Sequence, residues 1–172
     1  PYTVAFVRHP LDWYASFWHA KTDPEPTWGI ADRSGLWHPT WPLEERCADE
    51  TFAGFVAKAT DPGGFLTELF RLYTGRGTPD EIDHIGRAET MLDDLCVALD
   101  TTRVRHDRKA LAYLDVDTSQ RADYTPALKA MVAHAERDAF AIYGYQPKVR
   151  PSLIAEAQAE RPMTLDDVPG WL

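Results

Sequence analysis

A run of β-branched and apolar residues, Thr3 to Val7, leads directly into Arg8-His9-Pro10 and then into a helical pattern. No other feature limits the fold so strongly. The run has the composition of a buried strand. Pro10 carries a φ suited to the first turn of a helix, and Asp12 stands where the positive end of the helix dipole favours a carboxylate. From Leu11 the spacing is helical, and Trp13 and Phe17, one turn apart, are predicted to stack. A strand therefore passes through a tight corner into a helix, with an arginine at the corner. A helix N-terminus with free N–H groups and a cation beside it suits a phosphate. Ser16 follows Arg8 by eight residues. In the second turn of that helix it could share one anion with Arg8, the guanidinium giving a planar fork of donors and the serine one hydroxyl.

The remaining sequence sets bounds on what surrounds this corner. A chain of 172 residues suffices for one domain with a real core. No segment approaches the 18 or more apolar residues of a membrane span. The net charge of −9 opposes binding to nucleic acid or anionic membranes, so an anionic ligand needs a local positive pocket. Cys47 and Cys96 have no metal or redox spacing and read as simple thiols. His9, His19 and His38 share no ligand spacing either, and no metal is expected. A cytoplasmic setting is the expectation, although the lack of a visible signal segment carries no information.

Along the chain, prolines at 24, 26, 39 and 42 break the stretch from Lys21 to Glu45, which carries Trp28, Trp37, His38 and Trp41. These rings could form a platform for an acceptor or pin a long loop to the core. Glu50 to Ala59 predicts a helix with Phe52, Phe55, Val56 and Ala59 on its inner face. Phe65 to Tyr73 predicts another (Phe65, Leu66, Leu69, Phe70, Tyr73), closed by Gly75. Ile82 to Gly86 reads as a short strand, followed by a helix with Leu92, Leu95, Cys96 and Leu99 on one face. Arg103 to Arg108 is a basic cluster of the kind usually left to solvent. Thr125-Pro126 opens a last helix, with Leu128, Met131, Val132, Ala135 and Ala139 inward. From Pro147 the chain is polar and proline-punctuated, so residues 1–146 read as a domain unit and 147–172 as a peripheral arm.

Val7-Arg8-His9-Pro10-Leu11-Asp12-Trp13-Tyr14-Ala15-Ser16 resembles the 3′-phosphate-binding motif of sulfotransferases that use 3′-phosphoadenosine-5′-phosphosulfate. In that family an arginine ending a strand and a serine eight residues later hold the 3′-phosphate. Ile85-Gly86-Arg87-Ala88-Glu89-Thr90-Met91-Leu92 is similar to the second family signature, a strand ending in Arg-x-Glu before a helix. Ala88 departs from it, since many members have there a tyrosine that approaches the adenine. Glu89 is expected to be a cap or a structural hydrogen-bonding residue. Asp138, Phe140 and Tyr143-Gly144-Tyr145 look like the family's closing helix. In the stretch before that helix the resemblance implies a basic residue approaching the nucleotide, and Arg121 is the candidate.

The resemblance covers roughly Tyr2 to Tyr145 and implies an α/β fold, a P-loop-like three-layer sandwich with a mainly parallel sheet. It implies transfer of a sulfuryl group to a hydroxyl or amine acceptor such as a carbohydrate, with Arg8, Ser16 and Arg121 on the nucleotide cosubstrate. No glycine-rich Lys-Ser/Thr loop occurs in the sequence. The expectation is therefore a C-terminal part, truncated on the N-terminal side of the sheet and inactive alone, with the catalytic residues upstream. Two alternatives stay open. Strand-Arg-His also opens the histidine phosphatases, which would make His9 a phosphoryl acceptor, although Pro10 replaces their glycine. The chain could also be a non-catalytic nucleotide-binding fragment.

Overall fold

The corner forms as the local signals require. In the computed structural model, which describes residues 1–22, 46–61, 63–76, 78, 81–114 and 122–147, strand β1 covers Val4–Val7 and helix α1 covers Pro10–Thr22. Trp13 and Phe17 stack with their centroids 4.8 Å apart and their planes at 11°. Then follow α2 (Phe52–Ala59), α3 (Phe65–Thr74), β2 (His84–Arg87) and a 3₁₀ turn (Ala88–Thr90). Next come α4 (Met91–Thr101), α5 (Arg108–Leu111) with a 3₁₀ turn (Ala112–Leu114), α6 (Pro126–Ala135) and α7 (Arg137–Ile142).

The fold is mixed α/β and mostly helical. Among the described residues the sheet has two strands, β1 and β2, paired in parallel from Val4↔His84 to Val7↔Arg87. A parallel pair needs a long crossover, and this one contains α1, α2 and α3. Gly86 is required where it lies, because a Cβ there would come within 2.6 Å of the Phe6 ring and 2.9 Å of Asp94 Cβ. α1, α2 and α6 pack against one another, α3 packs on α7 and β1, and α4 lies on β2. One apolar core runs through these contacts, joining Val7 and Leu11 to Phe55, Leu66, Val132 and Phe140.

Side chains clasp the strand pair at its start. The Asp83 carboxylate accepts the Thr3 N–H at 2.7 Å and the Thr3 hydroxyl at 2.8 Å, which lowers its pKa. Asp49 does similar service before α2. It accepts the Thr51 N–H and hydroxyl and pairs with Lys58 at 3.0 Å, and these partners hold it at about 2. Both carboxyls titrate lower in the folded chain than their ordinary 3.8. Their contribution is present above that value and is lost as pH falls through the depressed one. Thermal melts should therefore show stability falling between about pH 4 and pH 2, and Asp49→Asn should flatten that slope. An unchanged slope would remove Asp49 from the account.

Several expected boundaries move, each for a local reason. α2 starts at Phe52 rather than Glu50, because the Thr51 hydroxyl caps it by accepting the Gly54 N–H. Gly75 closes α3 in the left-handed region, but Tyr73, expected inward, is 39% exposed. The second strand begins at His84, since the Ile82 N–H is already given to the Thr74 carbonyl. On α4, Cys96 is buried as expected together with Ala98, while Leu92, Leu95 and Leu99 are half-buried. Arg108 of the basic cluster pairs with Asp93. The last helix is broken at Glu136 into α6 and α7. Trp28, Trp37, His38, Trp41, Arg121 and nearly all of the 147–172 arm lie outside the described residues.

Candidate functional site at the ends of the two strands

The parallel pairing sets the two strand ends side by side, and the residues just beyond them form one hydrogen-bonded cluster. Arg8 is half-buried in the corner between β1 and α1. Its two neighbours are both gripped. Glu89, just past β2, accepts the His9 N–H through Oε1 at 2.6 Å. Through Oε2 it accepts the Tyr145 hydroxyl at 3.0 Å, and that hydroxyl also lies 3.3 Å from the Val7 carbonyl. Burial, reinforced by the Glu89 carboxylate, holds the Tyr145 hydroxyl far above its usual range, so it stays a donor. Arg87 lies 4.9 Å over the Tyr145 ring and donates from Nη2 to the carbonyls of Tyr143 and Gly144. The strand corner, the Arg-x-Glu segment and the Tyr-Gly-Tyr segment thus converge, although they lie far apart in sequence.

The electrostatics of α1 differ from the expected free helix terminus. The N–H of His9, the N-cap residue, is already taken by a carboxylate from another element, a capping-box bond made in trans. Asp12 lies in the first turn, one turn before Ser16 on the same face. Its charge adds to what raises the pKa of Tyr124 and Tyr145, after burial. Two carboxylates thus already answer the positive end of the helix. A bound phosphate would have to depend on the guanidinium of Arg8 and the half-buried Ser16 hydroxyl rather than on the dipole.

His9 packs edge-on against Phe140 and Tyr145, with centroids 5.5 and 5.2 Å away. Its Nε2 lies 3.2 Å from the Gln146 carbonyl, and its Nδ1 is buried without a hydrogen-bond partner among the described residues. The rings that hold it also line a cleft of about 340 Å³ with His134 and Arg137. Ala88 is buried and brings no ring to the site. Glu89 is a structural hydrogen-bonding residue that caps α1 and not the helix it precedes in sequence. Among the described residues no group of His, Cys, Asp or Glu side chains is placed to hold a metal ion, and no helix is long and apolar enough to cross a membrane.

Sequence reasoning missed Glu136. It is fully buried, and its carboxylate accepts the Tyr14 hydroxyl at 2.7 Å, the Leu66 N–H at 3.0 Å, and the Thr67 N–H and hydroxyl at 2.8 Å. It thereby caps α3 and ties it to α1. Burial first, then Glu136, pushes the Tyr14 pKa well up. The available signal was spacing, because Leu128, Val132, Glu136 and Phe140 fall at successive fourth positions along an inward stripe. A carboxylate inside such a stripe implies several donors around it.

Comparison with protein-family models, with curated proteins and with solved structures finds no match for this chain.

Proposed function

We propose that the chain carries the 3′-phosphate end of a phosphoadenosine phosphosulfate site in a sulfotransferase, with Arg8 and Ser16 as phosphate ligands. The observation that carries this reading is the convergence just described. The two segments that resemble family signatures end adjacent parallel strands and are joined by the Glu89–His9 bond. Arg8 would place its planar donors on the 3′-phosphate, and Ser16 would add a hydroxyl. Transfer of the sulfuryl group depends mostly on positioning and on charge stabilisation at the moving group. No cradle for that group is legible in this sequence, so what its residues contribute is nucleotide anchoring.

A wider parallel sheet belongs to the same proposal. The His84 N–H is given to the Thr3 carbonyl, so in a parallel ladder Val4 and Phe6 turn their backbone groups away from β2. A further strand would pair there. The outer side of β2 is closed at Arg87, whose N–H is held by Asp94 at 2.7 Å. The histidine phosphatase alternative asks for a histidine open to a phosphoryl group, and the His9 contacts above speak against it.

Calorimetric titration tests the reading. The protein should bind adenosine 3′,5′-bisphosphate at least about tenfold more tightly than adenosine 5′-monophosphate, one charge-assisted phosphate contact being enough for that ratio. Equal affinity would end the assignment of Arg8 and Ser16. A phosphohistidine at His9 after incubation with a phosphomonoester would put the phosphatase in its place.

A further inference from the structure

We infer that Glu89 and Tyr145 are positioning residues for the corner arginine, a paired clamp that fixes the backbone on both sides of Arg8. The inference rests on the reading of Arg8 as a phosphate ligand. Its grounds are geometric. Glu89 holds the N–H of His9 at 2.6 Å, the residue after Arg8, and Tyr145 reaches the carbonyl of Val7 at 3.3 Å, the residue before it. The same Tyr145 hydroxyl hydrogen is shared with Glu89 at 3.0 Å, a bifurcated contact that couples the two clamp groups. Arg87 steadies the aromatic jaw from above, over the Tyr145 ring and onto the carbonyls of Tyr143 and Gly144.

The clamp has a chemical cost that a purely structural cap would not need to bear. Glu89 puts a full negative charge beside the corner where an anion is to bind, and Coulomb repulsion works against affinity. What it returns is direction. A guanidinium contributes most when its fork meets two phosphate oxygens at once, and that demands a fixed main chain at its root. The carboxylate therefore weakens general anion attraction at the corner while sharpening the response to a phosphate in one position. A corner so arranged selects a 3′-phosphate presented by a nucleotide over free phosphate in solution.

The test uses the protein with Glu89→Ala, Glu89→Gln and Arg8→Ala, alone and combined. Glu89→Ala should weaken adenosine 3′,5′-bisphosphate by roughly 5- to 20-fold, the range of a lost cap bond, and leave adenosine 5′-monophosphate unchanged. Glu89→Gln retains an acceptor for His9 and should restore most of the loss. In the Arg8→Ala background Glu89→Ala should cause no further loss, since its positioning acts through that arginine. The Arg8 Nε–Hε resonance of the ligand-free protein should move in Glu89→Ala and stay in place in Glu89→Gln. An equal loss for both nucleotides, additive effects with Arg8→Ala, or an unmoved Arg8 resonance would each overturn the clamp. If wild type shows no preference for the 3′-phosphate, the phosphate assignment fails, and the resonance still decides whether Glu89 positions Arg8.

Discussion

Glu136→Ala is expected to destabilise the fold by about 3–5 kcal/mol, lowering Tm by roughly 10 °C or more. The substitution strands the Tyr14 hydroxyl, the N–H groups of Leu66 and Thr67 and the Thr67 hydroxyl inside the core. Water cannot easily replace a fully buried acceptor, and each orphaned donor carries its desolvation penalty. Glu136→Gln should fall between, because its amide N–H would face donors of Thr67 that now meet a carboxylate oxygen. Thermal melts of the two variants check this. A Glu136→Ala protein melting within about 2 °C of wild type would show that the node is spanned by other contacts.

Arg8→Ala should weaken adenosine 3′,5′-bisphosphate by roughly 30- to 1000-fold, about 2–4 kcal/mol. On the proposed reading a charge-assisted contact is lost, and the phosphate would be left beside Glu89 and Asp12 with less cationic charge to offset them. Ser16→Ala removes one neutral donor and should cost about 1 kcal/mol. Adenosine 5′-monophosphate should hardly distinguish the variants from wild type. Calorimetry reads all of these, and an Arg8→Ala protein that binds the bisphosphate as tightly as wild type would refute the assignment.

How much was legible in the sequence follows from how local each signal is. The corner was readable because Pro10, Asp12 and the Trp13–Phe17 pair act within two turns of one another. Thr125-Pro126 opened α6 for the same reason, with the Thr125 hydroxyl accepting the Leu128 N–H. Glu89 could be named as a cap, but not the helix it caps, because its partner His9 lies eighty residues away. The break at Glu136 was hidden by a continuous helical pattern. A carboxylate on the inward face is held by four donors from α1 and α3 that no helical period in this segment reveals. The apolar stripe on α3 overran at Tyr73, because periodicity marks a direction and not the depth of the neighbour that fills it.

The register of the strand pair also dictates an order of assembly. The Thr3–Asp83 clasp, all four ladder pairs and the His9–Glu89 bond share one offset, eighty residues. Closing a loop of that length costs about 4 kcal/mol of chain entropy before any contact offsets it. Four short-strand pairings cannot supply that alone, whereas α1, α2 and α3 shorten the loop once they have packed. The zipper of β1 onto β2 should therefore close late and open early. Amide exchange should be faster at Ala5 and Val7 than in the α2 and α6 core, and the corner that carries Arg8 should become rigid late in folding.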